Sequence, residues 1–339
     1  MTIRRTMSRR DTEEASMYMH ATVTAAIAAA SLFVSAPVLS QQWPDKPVRV
    51  LVPFPPGGGT DIQARLLSTA FQKSVGQNFI IDNRTGAGGI IAAQLAVDAP
   101  PDGHTILFTS GSISVAVTLY AKRLKFDVQK DLAPISWISS TPLVLSVHPS
   151  VPARSVKELV ALAKRSPKNL NAGGNTAGST AHLTAEMFNQ VAGLNSTVLT
   201  YRGGGPAVIA LISGEIDYIF ATAPSIMPHL KSGKARALAV TTPKRASALP
   251  ELPTMSTFYP GFESDNWYAM FYPKGTPRQI IDRMNEEIRK ALQTPEVKAF
   301  MPREALDPVA STPEELAALL QREIPKYAKV IKAANIRVE

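Results

Sequence analysis

No cysteine occurs anywhere in the chain, which excludes a disulfide framework, a thiolate metal site, a catalytic thiol and a lipid-anchored cysteine. Histidine is scarce as well: His20, His104, His148, His182 and His229 stand far apart and share no metal-ligand spacing. Neither a Gly-x-Ser-x-Gly elbow nor a glycine-lysine-serine phosphate loop is present. Gly86, Gly88 and Ile91 fall on the marked positions of the dinucleotide fingerprint, but the third must be Gly or Ala. With no nucleophile, metal cluster or cofactor motif, the expectation is a protein that is not an enzyme and carries no cofactor.

Long apolar runs are also lacking. The longest, Ala21 to Val34, is too short to span a bilayer. It follows Arg4, Arg5, Arg9 and Arg10 and precedes small residues, the pattern of a signal peptide over residues 1–40, cleaved after Ser40 with Val38 at the minus-three position. Export is therefore expected. Ser8 to Asp11 matches a twin-arginine signal only in part, so the route stays open between general secretory and twin-arginine, and the start between Met1, Met7 and Met17.

Without residues 1–40, which hold four basic and three acidic residues, the net charge falls from +9 to +8. The Lys and Arg residues are scattered and do not interleave with aromatics, which excludes nucleic acid as a partner and leaves a general attraction for small anions. The remaining 299 residues suffice for two cores of ordinary size.

What the chain does contain is a recurring strand, Gly-rich loop and helix. Val48 to Val52 reads as a strand; Gly57 to Gly59 follow; Thr60 and Asp61 open a helix carrying Ile62, Leu66, Leu67, Ala70 and Phe71. Such a turn aims unpaired N–H groups and the positive end of the helix dipole at one small volume. Phe79 to Asp82, the loop Asn83 to Gly89 and the helix Ile90 to Ala99 repeat it, and His104 to Thr109 is a third strand leading into a polar loop, Ser110 to Ser112.

The middle of the chain has the same order. The strand from Asn169 to Ala172, the loop 173–180 and a helix from Ala181 to Gly193 are followed by the strand Thr197 to Thr200, the loop 201–205, a helix over 206–213 and a strand from Ile216 to Phe220. Leu143 to Val147 links the halves, ahead of a capping box at Ser155 and Glu158. Ala237 to Thr241 and Trp267 to Tyr272 read as later strands, with Trp267 in the core. Helices start at Thr276 and Thr312, the last kinked at Pro325. Alternating strands and helices predict an α/β fold with parallel sheets, in two lobes joined by two crossovers around a cleft. The first lobe would comprise residues 43–141 plus 243–339, and the second residues 142–242.

Taken together, the motifs Pro53 to Asp61 (PFPPGGGTD), Asn83 to Gly89 (NRTGAGG), Pro101 to Gly103 (PDG), Ser179 to Phe188 (STAHLTAEMF), Tyr201 to Ala207 (YRGGGPA), Gly214 to Asp217 (GEID) and Gly233 to Val240 (GKARALAV) resemble the tripartite tricarboxylate transporter substrate-binding proteins, the Bug family. The match runs from Trp43 to the C-terminal helix. It implies a type II, Venus-flytrap periplasmic binding protein that captures a carboxylated solute, a di- or tricarboxylate or an aromatic acid, and delivers it to the membrane permease subunits of the transporter. It further implies that Phe54, Gly58, Thr60 and Asp61 form the first-lobe cradle with Thr109 and Ser112. In the second lobe Ser179, Thr180, His182, Gly203, Gly204 and Asp217 hold the matching positions.

Two departures concern the distal end of the ligand. Ala221 and Thr222 stand where relatives often carry Asn, and Arg202 with three glycines replaces Lys, Gly, Ser. Read from the residues alone, Asp61 orients its loop rather than touching an anion. His182 is open between a ligand contact and helix packing, while Arg84 and Arg202 read as solvated. The chain is expected to act as a monomer. The rival roles are a sensing module for a membrane signalling partner and an exported hydrolase, the latter lacking its nucleophile.

Overall fold

The first strand, β1 (Val48–Val52), is buried at four of its five residues, as befits a parallel strand covered on both faces. The computed structural model describes residues 43–165, 170–333 and 336, so the export segment expected over residues 1–40, its cleavage point and the strand start expected at Asn169 lie outside the described residues. α1 (Gly59–Val75) follows β1, then β2 (Phe79–Asn83), α2 (Ile90–Val97), β3 (Thr105–Ser110) and α3 (Ser112–Leu119). The three strands are parallel, with β1 in the middle. In place of the polar loop expected at Ser110 to Ser112, Ser110 ends β3, Gly111 caps α3 and Ser112 is its first residue, with Val115 and Ala116 of that helix buried.

After the short α4 (Val128–Asp131), β4 (Leu132–Val147) runs for 16 residues and belongs to both lobes. The second lobe adds α5 (Val156–Arg165), β5 (Asn171–Gly174), α6 (Thr180–Ala192), β6 (Thr197–Thr200), α7 (Gly204–Ile212), β7 (Tyr218–Thr222), α8 (Ala223–Lys231) and β8 (Arg236–Val240). The chain then returns with β9 (Asp265–Pro273), α9 (Arg278–Gln293), α10 (Pro295–Arg303), β10 (Asp307–Pro308) and α11 (Pro313–Ala333). The sheet runs β2-β1-β3-β9-β4-β7-β5-β6, with β8 and β10 also paired to β4.

β9 is antiparallel to β3 and to β4 as far as Pro142. From Leu143 onward β4 pairs instead with β7 and β8, so the change of lobe falls at a residue with no N–H to give to a ladder. The second crossover, 241–264, lies against the first. Thr241 N donates to Leu143 O at 3.0 Å, Leu143 N donates to Thr241 Oγ1 at 3.0 Å, and that hydroxyl donates to Ser264 O at 2.7 Å.

Each lobe is a three-layer sandwich. On one face of the first sheet Val50 and Phe108 pack with Leu67 and Phe71 of α1 and Met284 and Ile288 of α9; on the other, Leu51 and Leu107 pack with Ala93 of α2 and Leu316 of α11. The second sheet is covered by α5 and α6 on one side, through Leu159 and Phe188, and by α7 and α8 on the other, through Leu211 and Ile226. Tyr327 and Ile331 of α11 bridge the lobes by packing with Val115 of α3 and Leu183 of α6.

α11 continues through Pro325, where a kink was expected. Pro325 and Gln321 are both exposed, so water can serve the carbonyl that the missing N–H leaves. The box at Thr312 and Glu315 forms in both directions. At α5 only Ser155 caps as expected, because Glu158 accepts from Arg154 N, one residue earlier.

Candidate functional site

The strand-to-helix turns of both lobes open onto one crevice. Its walls come from the N-terminal ends of five helices: Gly58, Gly59 and Thr60 of α1, Ser112 of α3, Ser179 to Ala181 of α6, Gly204 of α7, and Thr222 with Ser225 of α8. Phe54, Ser110, Leu143, Asn175, Asn266 and Tyr268 complete the lining. No lysine, arginine, histidine, aspartate or glutamate is among these residues.

The donors are left free by local structure. Gly58 caps α1 with an extended backbone and no side chain, so the first amides of that helix have no side-chain acceptor. Thr222 likewise gives α8 no side-chain cap, its hydroxyl lying 2.9 Å from Ser225 Oγ. At α6, Ser179 Oγ accepts from His182 N at 3.2 Å, and Thr180 N reaches across the crevice to Ser112 Oγ at 3.4 Å. Three buried polar atoms of the lining make no hydrogen bond within the protein: Thr180 Oγ1, Asn175 Oδ1 and Tyr268 OH. In a folded protein such groups are normally satisfied by ligand or water.

Of the twelve residues singled out in the sequence, Phe54, Gly58, Thr60, Ser112, Ser179, Thr180 and Gly204 line the crevice. The other five do not. The carboxylate of Asp61 turns back to accept from Gly57 N at 3.1 Å, Asn83 Nδ2 at 3.0 Å and Arg65 Nε at 2.9 Å. Burial pushes its pKa up, but the hydrogen bonds from Arg65, Asn83 and Gly57 outweigh this and hold it below the ordinary value. It thus fixes the glycine loop from behind.

His182 is 7% exposed, and its Nδ1 accepts from Gly178 N at 3.1 Å. Burial lowers its pKa to about 4, which keeps the ring neutral and in service as the loop's acceptor. Thr109 is buried in β3 beside the lining residue Ser110 and points to the opposite face of the sheet. Gly203 sits at the rim: its φ of 131° and the carbons of Pro55, 2.8 Å from where a Cβ would stand, both demand glycine.

Asp217 is remote from the crevice. Its Oδ2 accepts from Asn171 N at 2.7 Å, at the opposite end of β7 from Thr222, roughly 16 Å away along the strand. Its place in the family motif therefore reflects a structural bond to the start of β5. Arg84 pairs with Asp82 at 2.8 Å, and Arg202 is exposed; neither lines the crevice. The sequence reading missed Asn266 and Tyr268 of β9. Their two-residue spacing puts both on one face of that strand, but nothing local indicates that the face ends in a cleft.

The receptor of the tripartite tricarboxylate transporter family, as a family pattern, matches residues 63–336. BugT of Bordetella pertussis is 35% identical over 308 residues, covering 90% of this chain and 94% of BugT. Among solved structures, a Rhodopseudomonas palustris protein with adipate superposes with a TM-score of 0.82 at 32% identity, over 87% of this chain and 99% of that one. MatC of the same organism with bound malate gives 0.80 at 30% identity, over 85% and 100%.

Proposed function

Because this chain belongs to the receptor family of tripartite tricarboxylate transporters, we propose that it is a periplasmic solute-binding protein that holds a carboxylated small molecule in the crevice and passes it to the membrane subunits of such a transporter. The observation that supports this best is the lining itself. Five helix N-termini and a set of hydroxyls and amides face the space, with no lysine, arginine, histidine, aspartate or glutamate among them. That is a surface of donors for a solute that brings its own negative charge.

Each charge-assisted hydrogen bond contributes about 1.5–3 kcal/mol net, and each helix terminus about 0.3–1 kcal/mol. A few of them, after the cost of association, reach the roughly 8 kcal/mol of micromolar binding. Phe54, Gly58, Thr60, Ser112, Ser179, Thr180 and Gly204 contact the solute in this reading. Asp61, His182 and Gly203 shape the loops that do.

The lobes are residues 43–141 plus 243–339 and residues 142–242, closing about the paired crossovers at Leu143 and Thr241. The leader is removed after Ser40, which N-terminal sequencing of periplasmic protein checks. The receptor acts as a monomer and releases its solute unaltered. A thermal-shift panel of organic acids tests the whole reading, with recovered ligand analysed by mass spectrometry. Stabilisation by neutral sugars or metal ions, with none by any carboxylate, would refute it.

A further inference from the structure

Where the lobes meet behind the crevice, α11 of the first lobe carries a phenol into a group of hydroxyls from the second lobe and the crossover. Tyr327 is fully buried and packs with Val115 of α3 and Leu183 of α6. Its OH makes no hydrogen bond within the protein. Burial of such a group is costly unless something pairs with it.

Two threonines and a serine stand at this junction. Thr180, the first residue of α6, lines the crevice, and its Oγ1 likewise has no partner. One turn on, Thr184 Oγ1 donates to Thr180 O at 2.8 Å and lies 2.5 Å from Ser264 Oγ. Since Thr184 spends its one hydroxyl hydrogen on that carbonyl, Ser264 is the donor to Thr184. Ser264 is in turn tied to the neighbouring crossover, its N donating to Thr241 O at 3.3 Å. A chain of hydroxyls thus runs from the crossovers to the wall of the crevice.

Tyr327 enters this chain as a donor. Burial first, then the charge of Glu323, pushes its pKa well above the ordinary value, while Ser264 and Thr180 stand near enough to oppose the rise. A bond from the phenol to Thr180 Oγ1 relieves two unpaired atoms at once, whereas a bond to Ser264 leaves Thr180 unpaired. Trp267 Nε1, a donor only and also unpaired, reaches the same region: it and Thr180 Oγ1 stand 3.1 and 3.3 Å from the position a Cβ on Gly111 would take. With donors behind the threonine oxygen, its own hydrogen is left for the crevice.

We propose that Tyr327 is a positioning residue whose O–H donates to Thr180 Oγ1 when the lobes close, turning the threonine's hydrogen toward the bound solute. This rests on the receptor reading above and adds to it a residue that never touches the solute. Because phenol and threonine come from different lobes, the bond belongs to the closed molecule, and its loss falls on solute release.

The test is calorimetry and stopped-flow kinetics on the purified protein with succinate, malate, adipate, citrate and benzoate, continued with whichever binds tightest. Tyr327→Phe is expected to weaken that acid by roughly fivefold or more, through faster dissociation, with the melting temperature of the solute-free protein unchanged or raised. A hydroxyl that is merely buried gives the melting effect with no change in affinity. In a Thr180→Ala background the same substitution should cost less than about twofold, and in Ser264→Ala roughly the full fivefold.

An affinity unchanged in Tyr327→Phe overturns the proposal and leaves the receptor reading intact. So does a loss that persists in Thr180→Ala or vanishes in Ser264→Ala, because the phenol then acts through another group. Where a variant fails to fold or to bind, a crystal structure of the parent with the same acid decides. Tyr327 OH within about 3.2 Å of Thr180 Oγ1 is the expected result, and a separation beyond about 4 Å overturns the contact. Absence of binding by every acid overturns both the proposal and the reading it rests on.

Discussion

The hydroxyl of Tyr120, just past the end of α3, donates to the carbonyl oxygen of Ala177 at 3.2 Å and so ties the first lobe to the Gly-rich loop of the second. Burial raises the pKa of this phenol, so it remains a donor over the neutral range. The bond can exist only when the lobes are together. Tyr120→Phe is therefore expected to weaken solute binding by roughly 2- to 10-fold, the worth of one neutral hydrogen bond of about 0.5–1.5 kcal/mol. Stopped-flow measurement should place the change in the dissociation rate, and an unchanged rate would remove Tyr120 from the closing contact.

Gly58 has an ordinary extended backbone, and a Cβ there would meet only Pro55 O at 3.6 Å. Gly58→Val is thus expected to fold, with a melting temperature within a few degrees of the parent, while its branched side chain fills the space the solute needs. Loss of binding in calorimetry with the fold retained is the expected result. Equal affinity would dismiss the glycine turn as part of the cradle.

Gly203 differs in that both its φ of 131° and its contact with Pro55 forbid a side chain. Gly203→Ala carries a backbone strain of about 1–3 kcal/mol and pushes the rims of the crevice apart. A lower melting temperature should accompany an affinity reduced at least tenfold, and small-angle scattering should show a more open molecule at saturating ligand.

His182 makes stability depend on pH. Its folded pKa, about 4 through burial, lies below the ordinary 6.5, so the unfolded chain takes up the proton first. Stability is full above pH 6.5 and is lost as pH falls toward 4, by up to about 3 kcal/mol. His182→Asn keeps an acceptor for Gly178 N and should flatten the curve of denaturation free energy in that window. An unchanged slope would show that the ring is not buried neutral.

Asp265 acts in the opposite direction. Burial first, then the nearby charges of Glu263, Glu323 and Asp307 against the opposing Lys326, raise its pKa to about 7, and its Oδ1 has no partner. The folded state then holds a proton that the unfolded state has lost above pH 3.8, so this contribution is full below that value and lost as pH rises through 7. Asp265→Asn should stabilise the protein at pH 8, by at most about 4 kcal/mol, and change little at pH 4. Equal effects at the two pH values would contradict the assignment.

Much of this architecture is legible in local pattern. The β-branched run from Val48, the three glycines and the periodic helix after Thr60 mark one unit, and each later unit is marked likewise, because turn chemistry and apolar period act over a few residues. Elements without such punctuation were not read. β4 before Leu143 carries Ser, Thr and Pro among its apolar residues and bulges against β9. α8 and α10 open on the dipeptides Ala223-Pro224 and Pro295-Glu296 and carry a second proline inside, which in sequence looks like connection.

Side-chain roles divide along the same line. Asp61 could be placed behind its loop from its position in the first helical turn alone. His182 could not be decided, since the same Ser-Thr-Ala-His start serves a ring turned toward the crevice or one packed behind Gly178. Asp217 shows the limit of a motif: it marks the entry to a strand whose other end makes the wall.

The sequence by itself determined the strand and helix alternation, the glycine turns at strand ends and the membership of a receptor family, because each follows from residues close together in the chain. Which turns meet, that β9 is inserted between β3 and β4, and that Asn266 and Tyr268 of β9 come to line the crevice were decided by the tertiary structure alone. The reason is physical: a side chain's direction is set locally, but what lies in that direction depends on how distant strands are ordered.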